Sequence, residues 1–224
     1  MSFLHIENLT KTYIVDHTTF VGVDNVSLSI NKGEFLSIVG HSGSGKTTLV
    51  SIIGGILKPT SGRVLLDGVD ICTLNDNKLS EFRSRRIGFM FQFASLLPIL
   101  TARENVLLPG IFSPGQKAEN DNIAWELLKM VGIGDKLDAY PSQLSGGQQR
   151  RVAIARALVN NPDIILADEP TGDLDEDTEA EIMHLLEEIN RKQGATIILI
   201  THNLELAGKA QKKFRMSKGQ LLNI

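Results

Sequence analysis

The sequence predicts an α/β fold built on a parallel sheet, and three features predict it. Short β-branched apolar runs, "FLSIV", "IILADEP" and "TIILIT", read as buried central strands. A long helical pattern, "DEDTEAEIMHLLEEINRKQG", lies between the last two, and strand, helix and strand in that order imply a right-handed crossover. The first run is followed at once by a glycine-rich turn and an apolar helical stretch, "GHSGSGKTTLVSIIGGIL".

The elements follow in order. "VSLSI" (Val26 to Ile30) alternates apolar and polar residues, as an antiparallel strand with one covered face does, and "NKGE" supplies the turn into "FLSIVG". "TSGRVLLDGVDI" reads as short strands punctuated by Gly62 and Gly68. From about Phe93 to Asn161 helical patterns dominate. "NDNIAWELLKMVGI" places Ile123, Leu127, Leu128 and Val131 at helical spacing and ends near Gly132 and Gly134; Trp125 within it reads as a packing residue. "SGGQQRRVAIARALVNNP" runs as a helix from an N-cap at Ser145 to a stop at Pro162. "IFSPGQKAENDN" is the expected mobile loop. There is no internal repeat.

At 224 residues the chain suits one large domain or two small ones. With 22% charged and 42% hydrophobic residues its composition is that of a soluble globular protein and not of a disordered one. A formal charge of −3 and a pI near 6.0 argue against nucleic acid as a partner. The single cysteine, Cys72, cannot form an internal disulfide, which favours a reducing compartment; it reads as a small buried or half-buried residue and not as a nucleophile. "MSFLHIENLTKTY" lacks the pattern of a targeting segment. No run of about 18 apolar residues occurs, so a membrane role would require a partner.

The chemistry is concentrated at a few strand ends and helix starts. Gly40, His41, Ser42, Gly43, Ser44, Gly45, Lys46 and Thr47, followed by Thr48, have P-loop spacing between a strand and a helix. Glycines let successive N–H groups turn onto phosphate oxygens, and the helix start adds a favourable dipole. Lys46 would reach the β- and γ-phosphates, and the Thr47 hydroxyl would ligate Mg2+. "IILADEP" delivers Asp168 and Glu169 to the strand edge where open α/β sheets bind ligands; Asp168 fits the magnesium side and Glu169 a general base or water-positioning group. His202 ends "TIILIT" by the same geometry and can sense or polarise the γ-phosphate. Gln92 follows "IGFMF" at a strand end, within reach of magnesium or of the attacking water. Tyr13, in a short turn of the N-terminal strands, is either an adenine-stacking ring or a half-buried surface tyrosine.

A second helix start has two readings. Ser145, Gly146 and Gly147 open a helix whose free N–H groups can hold an anion, with Gln148, Gln149, Arg150 and Arg151 in its first turns. The plainer reading is an N-cap followed by a solvated basic turn.

Together "GHSGSGKTT", Gln92, "LSGGQQRR", "IILADEP", "GDLD" and His202 resemble the ATP-binding subunit of ABC transporters, over essentially the whole chain. Within that family "FLSIVGHSGSGKTTL", "RRIGFMFQFASLLPILTARENVLLP" and "DEPTGDLD" are similar to the MacB, LolD and FtsE group. The resemblance implies a P-loop NTPase (RecA-like) core with an N-terminal antiparallel β subdomain and an inserted α-helical subdomain. Residues 1–92 and 161–224 would form the β subdomain and nucleotide-binding core, and about 93–160 the helical signature subdomain. It also implies ATP and Mg2+ as cofactors, hydrolysis of ATP, and a head-to-tail pair of subunits, in all expectation a homodimer. An integral membrane permease would be the further partner, with the chain peripheral on the cytoplasmic face of the membrane.

The resemblance assigns roles by position. Ser145, Gly146, Gly147 and Gln148 would hold the γ-phosphate of the partner's nucleotide. Tyr13 would stack on adenine, and Gln92 would link nucleotide to the membrane partner. Asp168 would support magnesium, Glu169 would be the catalytic base and His202 the switch histidine. Asp173 and Asp175 would lie in the loop between the two active sites. His41 stands where proline is frequent and Gly172 where serine is common; neither removes a needed chemical group. An FtsE-like regulatory ATPase without transport is the alternative reading.

Overall fold

The computed structural model describes residues 2–111 and 121–224; the core of the segment read as a mobile loop lies outside the described residues. The chain opens on a long hairpin of β1 (Leu4–Val15) and β2 (Thr18–Ile30). Its two-residue turn, Asp16 and His17, has φ of 48° and 64°, as a type I′ turn requires. The alternation in "VSLSI" is the observed one: Val26, Leu28 and Ile30 are buried and the serines between them are exposed. Then come β3 (Phe35–Val39), α1 (Lys46–Ile53), β4 (Ser61–Leu66) and β5 (Val69–Asp70). After α2 (Asp76–Arg86) and β6 (Ile87–Met90) come α3 (Ala102–Ile111), α4 (Asp121–Met130) and α5 (Gly146–Leu158). The chain closes with β7 (Ile164–Asp168), α6 (Glu176–Gln193), β8 (Thr196–Thr201), α7 (Leu204–Gly208), β9 (Lys212–Ser217) and β10 (Gln220–Asn223).

Two compact units result, 1–79 with 196–224, and 80–195. In the first, β2, β1, β4 and β5 form an antiparallel sheet in that order. Beside it stands a mixed set in which β3 runs parallel to both β8 and β9, and β10 closes antiparallel on β9. Every residue of β3 and of β8 is buried, which explains their continuous apolar sequences. Each fully buried aliphatic side chain there contributes about 1.5–3 kcal/mol relative to exposure. Strands β9 and β10 have no counterpart in the sequence reading. Lys212, Arg215 and Gln220 break their apolar pattern, and only Met216 and Gly219 of that stretch are buried.

In the second unit β6 runs parallel to β7, and α3, α4 and α5 pack on one another. Helix α5 starts where expected but ends at Leu158, ahead of Pro162, because Asn161 takes a left-handed conformation with φ of 49°. Helix α6 spans from the Asp175 N-cap to Gly194, whose φ of 66° makes it a C-cap. Trp125 is not a core residue: it is 44% exposed, with the Lys129 ammonium 4.7 Å from its ring. Cys72 is half-buried, and burial pushes its thiol above the ordinary value.

Candidate functional site

The first unit holds the loop with P-loop spacing. Buried β3 delivers Gly40, and the chain turns through exposed His41, Ser42 and Gly43 to buried Ser44 before α1 begins at Lys46. Gly45 is the N-cap at φ 107°, and a Cβ there would lie 2.0 Å from the Gly22 carbonyl oxygen, so no other residue fits. A glycine N-cap has no side chain to offer, and no side-chain cap bond forms. The first N–H groups of α1 therefore receive no bond from the cap side chain, and no acidic side chain occupies the first turn to compete with an anion.

Lys46 is buried, and its Nζ donates to the carbonyl oxygens of Gly40 at 2.7 Å and His41 at 3.1 Å. An ammonium has three donors, so the loop uses two and the third can turn to phosphate. The Ser44 hydroxyl is buried without a hydrogen-bond partner among the described residues, as in a cradle made for oxyanions. Thr47 is exposed at the helix start.

Tyr13 lies within β1, opposite Phe20, and not in the turn expected for it; the hairpin runs on through Ile14 and Val15. Its hydroxyl is 3.4 Å from Oγ1 of Thr48, and its ring lies so close over Gly22 that a Cβ there would sit 2.8 Å from Cε2. Gly22 had no motif to mark it. His202 follows β8 directly and is exposed, and Asn203 caps α7 beyond it.

The second unit holds the carboxylates and the other helix start. Asp168 is the last residue of buried β7, and Glu169 follows with φ of 48°, an uncommon conformation for a non-glycine residue. The turn closes where Gly172 N donates to the Glu169 carbonyl at 3.1 Å. Asp173 is left-handed as well, at φ 65°, and Asp175 accepts from Thr178 N as the cap of α6. Gln92 lies two residues beyond β6 and is exposed.

At α5, Ser145 Oγ accepts from Gln148 N at 3.2 Å while Gln148 Oε1 accepts from Ser145 N at 3.0 Å, a reciprocal capping box. The plainer reading of this stretch is thus structurally true, and the exposed Gly146 and half-buried Gly147 add the remaining donors. Gly147 has no room for a side chain, since a Cβ would meet Thr178 Cγ2 at 2.6 Å. Arg150 corrects the picture of a solvated basic turn: it is 6% exposed and donates to the carbonyls of Phe91 and Gly172, both at 3.0 Å. Arg151 donates to Val131 O at 2.7 Å and pairs with Glu181.

A family model described as ABC transporter matches residues 23–172. The chain belongs to the ABC transporter family. It is the ATP-binding and ATP-hydrolysing cassette of such a system. The lipoprotein-releasing ATP-binding protein LolD of Syntrophus aciditrophicus is 44% identical, with 98% of each chain covered. The macrolide export ATP-binding/permease protein MacB of Brucella melitensis is 46% identical over 98% of this chain and 34% of its own length. Among solved structures, the ATP-binding cassette MJ0796 of Methanocaldococcus jannaschii, a dimer in a post-hydrolysis state with ADP and Pi, superposes with a TM-score of 0.91 at 44% identity, covering 97% of this chain and 96% of that one. This ABC cassette is mixed α/β, with an antiparallel sheet and parallel strands in its core, as the sequence predicts.

Proposed function

We propose that this ABC cassette works as a head-to-tail homodimer closing on two ATP, each nucleotide lying between Gly40–Thr48 of one copy and Ser145–Gln148 of the other. The observation that supports this most is the contrast between the two helix starts. One is a phosphate cradle complete in itself, with Lys46 and an unpartnered Ser44 hydroxyl. The other exposes Ser145 and Gly146 beyond a side-chain box that already serves the chain's own needs. That the related cassette MJ0796 was solved as a dimer favours the same arrangement here.

In this reading Tyr13 stacks on adenine, Lys46 holds the β- and γ-phosphates, and Glu169 accepts the proton of the attacking water, with His202 polarising the γ-phosphate. Thr47, Gln92 and Asp168 would hold Mg2+. A hydroxyl, an amide oxygen and one carboxylate fit an ion that keeps few protein ligands and takes phosphate oxygens. Magnesium bound there would neutralise charge developing on the phosphates. The protein's own contribution is positioning and fixed electrostatics.

The membrane partner of the proposal is a permease of the export type, met at the cytoplasmic face. No helix among the described residues is long and apolar enough to cross a membrane. The second unit carries an open apolar groove of about 460 Å³ lined by Ile87, Phe89, Phe91, Leu108, Pro109 and Arg156. The Phe89 and Phe91 rings stack 5.4 Å apart in it, and Phe93 and Ile99 nearby in sequence are 66% and 80% exposed. Exposed apolar surface of this kind is suited to a protein contact. It adjoins Gln92, which would carry nucleotide state to the partner. The names of LolD and MacB, lipoprotein release and macrolide export, favour transport over a purely regulatory ATPase.

Glu169→Gln tests the reading. Turnover is expected to drop about a thousandfold, within the range of a lost general base. ATP binding is retained, and a dimer accumulates with ATP and magnesium in gel filtration. A monomer at saturating MgATP would refute the sandwich.

A further inference from the structure

We propose that Arg150 is a positioning residue for hydrolysis, one planar guanidinium that fixes the backbone before Gln92 and the turn behind Glu169 to the signature helix α5. The inference rests on the roles given above to Gln92 and Glu169. Nη1 takes the carbonyl of Phe91, the residue preceding Gln92, and Nη2 takes the carbonyl of Gly172. Gly172 N in turn donates to the Glu169 carbonyl, so the turn that carries Glu169 is tied at its far end by Arg150.

That tie matters because Glu169 holds φ of 48°. A non-glycine residue in the left-handed region stays there only where its surroundings over-determine it. The bond to Gly172 is one such restraint, and a shift of the turn would redirect the carboxylate. On the other side of Gln92, Arg156 of the same helix donates to the Ala94 and Ser95 carbonyls, each at 2.7 Å. Helix α5 therefore grips the Gln92 segment from both sides, and of the two arginines it is Arg150 that also reaches the Glu169 turn. Since α5 begins with the Ser145 cap, one helix joins three functional segments.

The fork geometry explains the residue type. Arginine directs two N–H groups along fixed vectors to two carbonyls, whereas lysine offers a point charge and glutamine a short amide. Burial lowers the guanidinium's affinity for its proton, and the nearby Asp173 charge opposes that. Removing the side chain would leave two carbonyls without their donor.

Steady-state ATPase of the full chain, with thermal melting, is measured for Arg150→Lys, Arg150→Gln, Glu169→Gln and the control Arg151→Lys. Misplacement of about 1 Å at a reacting group can cost up to about a hundredfold. Arg150→Lys is expected to lower kcat about tenfold with KM within about twofold, Arg150→Gln to lower it further, and Arg151→Lys to leave it unchanged. A merely structural arginine would lower the melting temperature without splitting kcat from KM. Unchanged kcat in folded Arg150 variants, a rise in KM alone, or an equal loss in Arg151→Lys overturns the inference. Full turnover in Glu169→Gln overturns the functional reading and this inference with it; an inactive Glu169→Gln beside a fully active Arg150→Lys overturns the inference alone.

Discussion

Helices α1 and α5 both begin behind glycine-rich sequence, yet they treat their free N–H groups in opposite ways. At α1 the cap is Gly45, which gives no side-chain bond, and Lys46 folds back onto the carbonyls of Gly40 and His41. At α5 Ser145 and Gln148 satisfy each other. A glycine cap with no side-chain bond is slightly less favourable than a good N-cap, by roughly a few tenths of a kcal/mol. Its persistence at α1 is what a ligand-built site looks like. The α5 start is stable in its own right, so an anion reaching it adds to a finished structure.

The sharpest way to break this contrast is at Lys46. Lys46→Ala removes a buried ammonium from the cradle, and MgATP affinity should fall about a hundredfold in equilibrium titration, since truncating one partner of a buried charged contact costs several kcal/mol. Loss of the same size at the α5 start would erase the distinction. Ser145→Arg is the matching experiment there: single-chain ATP binding is expected to persist within about twofold of the native value, while dimer closure and hydrolysis are blocked. A fully active variant would return the stretch to a plain cap.

The smallest effect sharpens what a box is worth. Helix α3 has one between Thr101 and Glu104, with Thr101 N donating to Glu104 Oε2 at 2.7 Å. That backbone bond, helped by the Thr101 hydroxyl, holds the Glu104 carboxyl below its ordinary value. A lowered folded-state pKa contributes stability above the unfolded value, near about 4.3, and loses it as pH falls through the folded one. Glu104→Gln should therefore lower the melting temperature by a small margin at neutral pH and flatten its acid limb, the two chains converging as pH falls. A steeper acid limb in the variant would contradict this sign.

Much of the cassette was legible because its information is local. A buried strand, glycines and a lysine at fixed spacing specify the loop from Gly40 to Thr47 without reference to anything distant, and strand length alone puts Asp168 at the end of β7. Ser145 as a cap was equally legible, since a capping box spans three residues. The strand around Tyr13 is hard to read locally, because Ile14, Val15, Phe20 and Val21 are exposed apolar residues in a hairpin that the left-handed Asp16 and His17 close. Strands β9 and β10 escaped because they are short and partly charged, and they are strands through their pairing with β3 and with each other.

Local spacing carries the signs of the chemistry: P-loop spacing, strand-end carboxylates and a second glycine-rich helix start, each written in residues a few positions apart. Packing sets which of two neighbouring arginines is buried and which is half-buried. Arg150 and Arg151 are adjacent and alike in sequence, but helical geometry turns them in different directions. Arg150 meets Phe91 and Gly172, far from it along the chain, while Arg151 meets Val131 and Glu181. No spacing rule encodes those partners, because packing alone brings them together.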